Sequence, residues 1–489
     1  MKKKGEPLRP VPPEKTGLQK TSEKEDARQA RYLEVLRYLY GLQKFGIKLG
    51  LQNICGLLHA LGNPERSLKC VHVAGTNGKG STSAAIASII QAAGKKTGLF
   101  TSPHLLNFTE RMRINGEEVS AQKTVELAAE VKEAVERSKK IKKAENALYA
   151  DLNPTFFEFV TAMALLWFWQ EGVEWAVLET GMGGRLDSTN VIAPEVSVIT
   201  TVGLDHREFL GGTLREIAAE KAGIMKKGVP AVLGPQRPEA LEVLEERFSS
   251  LNGGSMPPGL FLYGRDFFCS ALGESSGAGV TFDYSGSSFQ AKDLAFPLAG
   301  DYQVINASVA AQAVTAAGLG SEAAVREGLR MTRLPGRLEL LEEAPEIRLD
   351  GAHNPDAAEA LAGALKKIFL LPEGRRLILV LGIMGDKDAE GIMDPLLPLA
   401  AASGGKSILT APAYGRAARP EELKRRAEAM GFKTGIAAVS PLSRAIQEAR
   451  DLARPEDLIV ITGSFYTAGE AKEILKREGG KFSRLRETR

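Results

Sequence analysis

The stretch Val71-His72-Val73-Ala74-Gly75-Thr76-Asn77-Gly78-Lys79-Gly80-Ser81-Thr82 decides how this chain is read. An apolar strand, KCVHVA, runs through a glycine-rich turn into the helix-forming segment STSAAIASIIQAAG. Strand, glycine-rich loop and helix start form an anion cradle. Backbone N–H groups and the helix dipole face the anion, and a lysine adds full charge. The usual phosphate loop reads G-x-x-x-x-G-K-[ST]. Here only Thr76 and Asn77 separate Gly75 from Gly78-Lys79, and Gly80 precedes the hydroxyls of Ser81 and Thr82.

Working outward, RYLEVLRYLYGLQKF (31–45) and LQNICGLLHALG (51–62) carry apolar residues at helical spacing, the second stopped by Asn63-Pro64. Downstream, KKTGLFTSPH (95–104) reads as a strand entering a polar loop, and 121–143 as a charged helix. The Lys-rich segment 138–147 reads as an exposed insertion. Next come a helix (TFFEFVTAMALLWFWQEG), two strand-plus-loop units (WAVLETGMGG, VSVITTVGLDH) and a helix (LREIAAEKAGIM). Alternation of this kind predicts a doubly wound, mostly parallel sheet with its chemistry on the loops after the strands. Residues 251–292 suggest an antiparallel hairpin excursion. Residues 333–339 read as a linker. Four further strand-plus-loop units follow: EIRLDGAHN, RLILVLGIMGDKD, KSILTAPA and DLIVITGSFY. Two α/β domains whose loop edges face each other enclose a cleft.

Composition narrows the class. The 489 residues are 44% hydrophobic and 25% charged, ordinary for a globular protein with room for two or three domains. No run approaches the ~20 apolar residues of a membrane span. The start shows no secretory pattern, and three cysteines lack metal or disulfide spacing, so a cytoplasmic location is expected. Net charge is +3, and residues 1–31 hold nine Lys/Arg against five Asp/Glu. Basicity therefore belongs to the tail, and no nucleic-acid face or membrane contact is expected. Residues 1–30 read as a disordered basic tail.

The motifs together resemble the folylpolyglutamate synthase/dihydrofolate synthase family, a branch of the Mur-type ATP-dependent amide ligases. They are AGTNGKGST (74–82), TSPHL (101–105), LETGMGGRLDSTN (178–190), LDH (204–206), EKAGI (220–224), NA (306–307), PGRLE (335–339), DGAHNP (350–355), GDKD (385–388) and TGSFY (462–466), in family order. The resemblance implies an α/β protein of Mur-ligase type. A P-loop domain binding ATP and folate (31–334) would precede a smaller Rossmann-like glutamate-binding domain (336–489). It implies a monomer that couples ATP to joining L-glutamate both to dihydropteroate and to the γ-carboxylate of reduced folates; the alternatives are one of these activities alone or another carboxylate acceptor. The acceptor carboxylate becomes an acyl phosphate, and the glutamate amine displaces phosphate. A plain P-loop NTPase would lack DGAHNP and GDKD. A degenerate binding protein would have lost the site residues.

By the same resemblance, Gly75, Thr76, Asn77, Gly78, Lys79, Gly80, Ser81 and Thr82 would hold the ATP phosphates, with Lys79 on the β and γ groups. Asn306 would contact adenine, Asp350 ribose, Arg337 a phosphate, and His353 the γ-phosphate or the adenine side. Ser81, Glu179, His206 and a carbamylated Lys221 would serve two Mg²⁺ ions. A strand-end carboxylate is a hard oxygen donor suited to Mg²⁺, whereas a histidine ligand is unusual. Ser102, Pro103, His104 and Arg185 would lie at the folate pocket, and Ser464 and Tyr466 near the incoming glutamate. Lys79, Lys221 and His206 are the expected catalytic residues.

Overall fold

Eight strands build the larger sheet. They are β1 (Lys69–Ala74), β2 (Thr97–Phe100), β3 (Met112–Ile114), β4 (Glu117–Glu118), β5 (Trp175–Glu179), β6 (Pro194–Ile199), β7 (Ala231–Leu233) and β8 (Leu260–Leu262). Their spatial order is β4-β3-β2-β5-β1-β6-β7-β8. From β2 to β8 the pairing is parallel, and β3 and β4 add an antiparallel edge. The computed structural model describes residues 17–45, 50–140, 151–286, 288–369 and 374–477. The central strands are apolar because helices cover both faces: every residue of β5 is buried, as is β1 beyond Lys69.

Residues 251–292 contribute more than a hairpin. Strand β8 extends the main sheet. Then β9 (Phe268–Ser276), β10 (Gly279–Ser285) and β11 (Gln290–Phe296) form a separate antiparallel sheet. Phe282 and Phe296 of that sheet share one core cluster with Val71, Ile89 and Val309. A third sheet holds β12 (Glu339–Glu343), β13 (Glu346–Leu349), β14 (Leu377–Gly382), β15 (Lys406–Thr410), β16 (Ile436–Ala438) and β17 (Leu458–Thr462), in the order β12-β13-β17-β14-β15-β16. Only β12 runs antiparallel.

The sheet orders place the motifs. In the larger sheet β1 connects to one side, through the helix Lys79–Ala92 to β2, whereas β6 leads to the other side. Adjacent strands β5, β1 and β6 therefore splay their following loops apart, leaving a crevice at the switch point. In the smaller sheet the neighbours β13, β17 and β14 carry the DGAHNP, TGSFY and GDKD loops.

The helix Phe156–Gln170 is apolar on nearly every side and buried from Glu158 to Phe168, as expected of a helix sealed within a core. Thr155 and Glu158 form a reciprocal capping box at its start. Among the described residues no helix is long and apolar enough to cross a membrane.

One expectation changes. The sequence reading puts 17–30 in a disordered tail, but a helix spans Gly17–Gly41. Its second half is anchored by Leu39 in the core, with Val35 and Leu36 packed alongside. Residues 17–30 are rich in Lys, Glu, Gln, Ala and Arg. Such residues extend an anchored helix at little cost. Residues 1–16 and most of the Lys-rich segment, 141–150, lie outside the described residues.

His72 on β1 is wholly buried, its Nε2 2.8 Å from Thr189 Oγ1. Burial, with a smaller contribution from Lys226, pushes its imidazole down to about 3. The folded state thus refuses a proton that the unfolded chain accepts below about pH 6.5. Stability is complete above that value and falls as pH drops through the window between the two pKa values. His72 alone is expected to cost about 2 kcal/mol on acidification from about pH 6.5 to about pH 5. Urea unfolding across that range should show a shallower loss for His72→Gln than for the parent chain.

Candidate active site

The loop after β1 is drawn tight by its own cations. Lys79 Nζ donates to the carbonyls of Gly75 and Thr76, both at 3.2 Å. Lys221 Nζ, from the helix Leu214–Ala222, donates to the same Gly75 carbonyl at 2.7 Å. Lys221 is 3% exposed. Burial, then the charge of Lys79, pushes its ammonium down to about 7.

Glu179, at the end of β5, is buried and accepts a hydrogen bond from Ser102 N at 3.1 Å. Burial pushes its carboxyl up; Lys79, the Ser102 N–H, Arg337 and Arg111 oppose that. A Cβ placed on Gly80 would stand 3.7 Å from both Glu179 Oε2 and Arg337 Nη2, which is how closely these two side chains approach the loop. Thr76 is locked to the β6 loop, donating to Gly203 O at 3.0 Å and accepting from Gly203 N at 2.9 Å.

A cavity of about 450 Å³ opens against this loop. Asn77, Gly78 and Ser81 line it from the larger domain, as does Asn306 from the helix Tyr302–Ala316. Arg337, Asp350 and His353 line it from the segment beyond residue 334. The volume lies in the range of small-molecule sites. Asn306 donates to Gln303 Oε1 at 2.9 Å. Asp350 is buried and accepts from Leu338 N and Ala352 N at 3.0 and 2.9 Å. Burial pushes its carboxyl up against the pull of Arg337 and those two N–H groups. The Arg337 guanidinium lies 4.7 Å over the Phe465 ring.

Contacts between the domains flank the cavity. Asn77 and Asn354 exchange reciprocal amide hydrogen bonds at 3.1 and 3.0 Å. Asp205 of the β6 loop meets Lys387 of the GDKD loop at 2.5 Å, Asn354 at 3.3 Å and His353 at 3.7 Å. Burial would raise the Asp205 carboxyl, but Lys387 and the two neighbouring imidazoles overcome it and hold the group well below the usual carboxylate range. Beside it, His206 has a left-handed backbone, φ 52°. Partial burial and nearby lysines push its imidazole down to about 4. Burial does the same to His353, also to about 4.

Four expected residues lie away from both the loop and this cavity. Arg185 is turned outward, paired with Glu220 at 2.7 Å. Ser464 is buried, its Oγ accepting from Thr467 N at 3.0 Å. Tyr466 is exposed and stacks on Tyr414, ring centres 4.2 Å apart. His104 Nδ1 accepts from Arg111 Nε at 2.7 Å, and its ring lies 6.4 Å from that of Phe108. Ser102 and Pro103 line a second, smaller cavity with Glu179 and Arg337.

Sequence reasoning assigned no role to Arg111, Asp205, Asn354 or Lys387. The last three sit inside quoted motifs, in LDH, DGAHNP and GDKD. Arg111 is buried in the loop region after TSPHL, with Phe156 5.3 Å from its guanidinium.

Gly78 has φ +84°, and a Cβ there would lie 2.3 Å from Asn306 Oδ1. Gly78→Ala therefore combines left-handed strain of about 1–2 kcal/mol with displacement of a cavity wall. Calorimetric titration with ADP should show affinity weakened by at least about tenfold, equivalent to about 1.4 kcal/mol.

Comparison with known proteins agrees with this geometry. The Mur ligase middle domain matches residues 73–314, and the Mur ligase glutamate ligase domain matches residues 336–465. A folylpolyglutamate synthase of Lacticaseibacillus casei is 36% identical over 458 residues, covering 92% of this chain and 99% of the relative. A dihydrofolate synthase/folylpolyglutamate synthase of Bacillus subtilis is 34% identical over 459 residues, covering 91% and 99%. The solved structure of Escherichia coli FolC in complex with DHPP and ADP superposes with a TM-score of 0.78 at 30% identity, covering 91% of this chain and 98% of that one. This chain belongs to the folylpolyglutamate synthase/dihydrofolate synthase family of Mur ligases.

Proposed function

We propose that this ATP-dependent ligase joins L-glutamate both to dihydropteroate and to the γ-carboxylate of reduced folates. The observation that carries the reading is the pair of adjoining cavities that share Arg337 and Phe465. One is large enough for a nucleotide and rests on the phosphate loop. The other, beside Glu179, admits a carboxylate. An acceptor oxygen placed there attacks the γ-phosphorus of ATP, the P–O bond to ADP breaks, and an acyl phosphate forms. The glutamate amine then attacks the acyl carbon, phosphate leaves, and an amide remains with one proton released.

Positioning and charge do most of this work, since phosphoryl transfer asks for little covalent participation by the protein. Lys79 and Arg337 offset the charge growing on the transferred group. Contacts from Asn77 to Asn354 and from Asp205 to Lys387 hold the domains shut, keeping water from the acyl phosphate. Both domains of one chain complete the site, consistent with a monomer.

The residues suit magnesium. Among the described residues no cluster of three His, Cys, Asp or Glu side chains forms a protein-only cage. Mg²⁺ at nucleotide sites uses one or two carboxylates plus phosphate oxygens and water. Glu179 and the Ser81 hydroxyl are donors of that kind, and His206 is the third candidate. Bound Mg²⁺ would supply charge neutralisation and orientation of the phosphates. Lys221, buried and shifted to about 7, presents enough neutral amine near neutral pH to take up CO₂ as a carbamate, turning a cation into an oxygen donor.

Two measurements check these assignments. With ATP, Mg²⁺ and L-glutamate, both dihydropteroate and tetrahydrofolate should stimulate phosphate release, each product gaining one glutamyl unit by mass. Turnover with one acceptor alone would reduce the chain to a single activity; turnover with neither would reject the folate reading. With labelled bicarbonate, the parent chain should give a carbamate carbon signal that Lys221→Arg lacks. That variant should also lose at least about tenfold in apparent Mg²⁺ affinity, the scale of disturbing a metal's supporting shell. An unmodified lysine in the active enzyme would sink the carbamate.

A further inference from the structure

We infer that Arg113 binds the α-carboxylate of a folate's existing glutamate and so favours chain extension over the first glutamate addition. This inference rests on the folate-ligation reading above and deepens it.

The cavity at issue measures about 30 Å³ and is bounded in part by Gly80, Ser102, Glu179, Arg337, Glu110 and Arg113. Its enclosed part accommodates one carboxylate, and it is partly open, so a second carboxylate can sit at its mouth while the pterin and benzoyl rings stay outside. Gly80, Glu179 and Arg337 stand together at the phosphate loop. Arg113 comes from a different element, the antiparallel edge strand β3.

The Arg113 guanidinium is poorly matched by the protein. Its Nε is buried and has no hydrogen-bond acceptor. Its ion partner is Glu118, 3.5 Å from Nη2, on the short outer strand β4. The side chain of Arg113 is 13% exposed, that of Glu118 39%. Glu110, the other carboxylate near Arg113 in the cavity, is already committed. It accepts from the backbone N–H groups of Leu105, Leu106 and Asn107 at 2.7–2.8 Å. A largely buried arginine that lines the cavity and holds its ion partner only at 3.5 Å is suited to receive an anion. Its planar fork matches a carboxylate in particular.

Substrate chemistry selects which carboxylate. Dihydropteroate carries one, the group that reacts. A folate monoglutamate carries two: the reacting γ-carboxylate and an α-carboxylate that must lie close by, uncoupled from the phosphoryl transfer. Glu179 and Arg337 serve the reacting group. Arg113 is the remaining cation of the cavity, and only folates bring a second anion for it.

The test measures kcat/KM for dihydropteroate and for tetrahydrofolate monoglutamate in the parent chain, Arg113→Met and Arg113→Lys. Loss of a charge-assisted hydrogen bond is expected to shift the ratio of the two values against tetrahydrofolate by roughly ten- to hundredfold in Arg113→Met, mainly through KM. Arg113→Lys keeps the charge without the fork and should recover part of the ratio. An unchanged ratio overturns the inference, whether both values fall together or neither moves. Calorimetric ADP affinity in each variant separates misfolding from a specific effect. If the parent chain turns over only tetrahydrofolate, the inhibition constant of dihydropteroate supplies the second value. If it turns over neither acceptor, the functional reading itself fails, and this inference with it.

Discussion

Two lysines from different helices converge on one carbonyl, that of Gly75, and the rest of the site follows from that meeting. Two cations at the buried end of a parallel sheet are costly without compensation. The compensation within the chain is shared among the carbonyls of Gly75 and Thr76, neighbouring backbone, Glu179 at the end of the next strand, and Asp205 and Asp187. A bound polyphosphate adds to it. Burial first, and nearby lysines second, lower Lys221 and the imidazoles of His206 and His353. The electrostatics of the pocket thus favour an anionic ligand.

That concentration of charge explains why a second domain is needed. The phosphate loop supplies a floor but no roof. The roof comes from loops after β13, β14 and β17, which sit over the loops after β5, β1 and β6. The joints are polar and specific: an amide pair between Asn77 and Asn354 and an ion pair between Asp205 and Lys387. Farther out, Arg348 of β13 donates to Gly277 O at 2.9 Å and ties the small antiparallel sheet to the smaller domain. Polar joints of this kind hold a closed state without welding it, because water can replace each bond when the domains part.

Much of the site was legible because its residues occur in short, dense motifs at strand ends. Lys79, Glu179, Asp350 and His353 each follow an apolar run that could only be a buried strand. Arg185 and Ser464 lie in such motifs too, yet one is turned outward by Glu220 and the other caps a helix through Thr467. A motif gives a residue's position along the chain, not the direction of its side chain. Residues 17–30 failed differently: composition argued for disorder, but an anchor downstream at Leu39 lets a charged segment continue as helix.

Sequence alone settles the α/β class and the family, because these depend on local periodicity and on motifs a few residues long. Tertiary structure alone decided which side chains meet. Asn77 and Asn354 are 277 residues apart, Asp205 and Lys387 182 apart. Nothing local encodes such pairings; they exist because the switch points of two sheets face each other. The unserved Nε of Arg113 belongs to the same category. Whether a donor lacks an acceptor is a property of everything packed around it, and only the folded chain settles that.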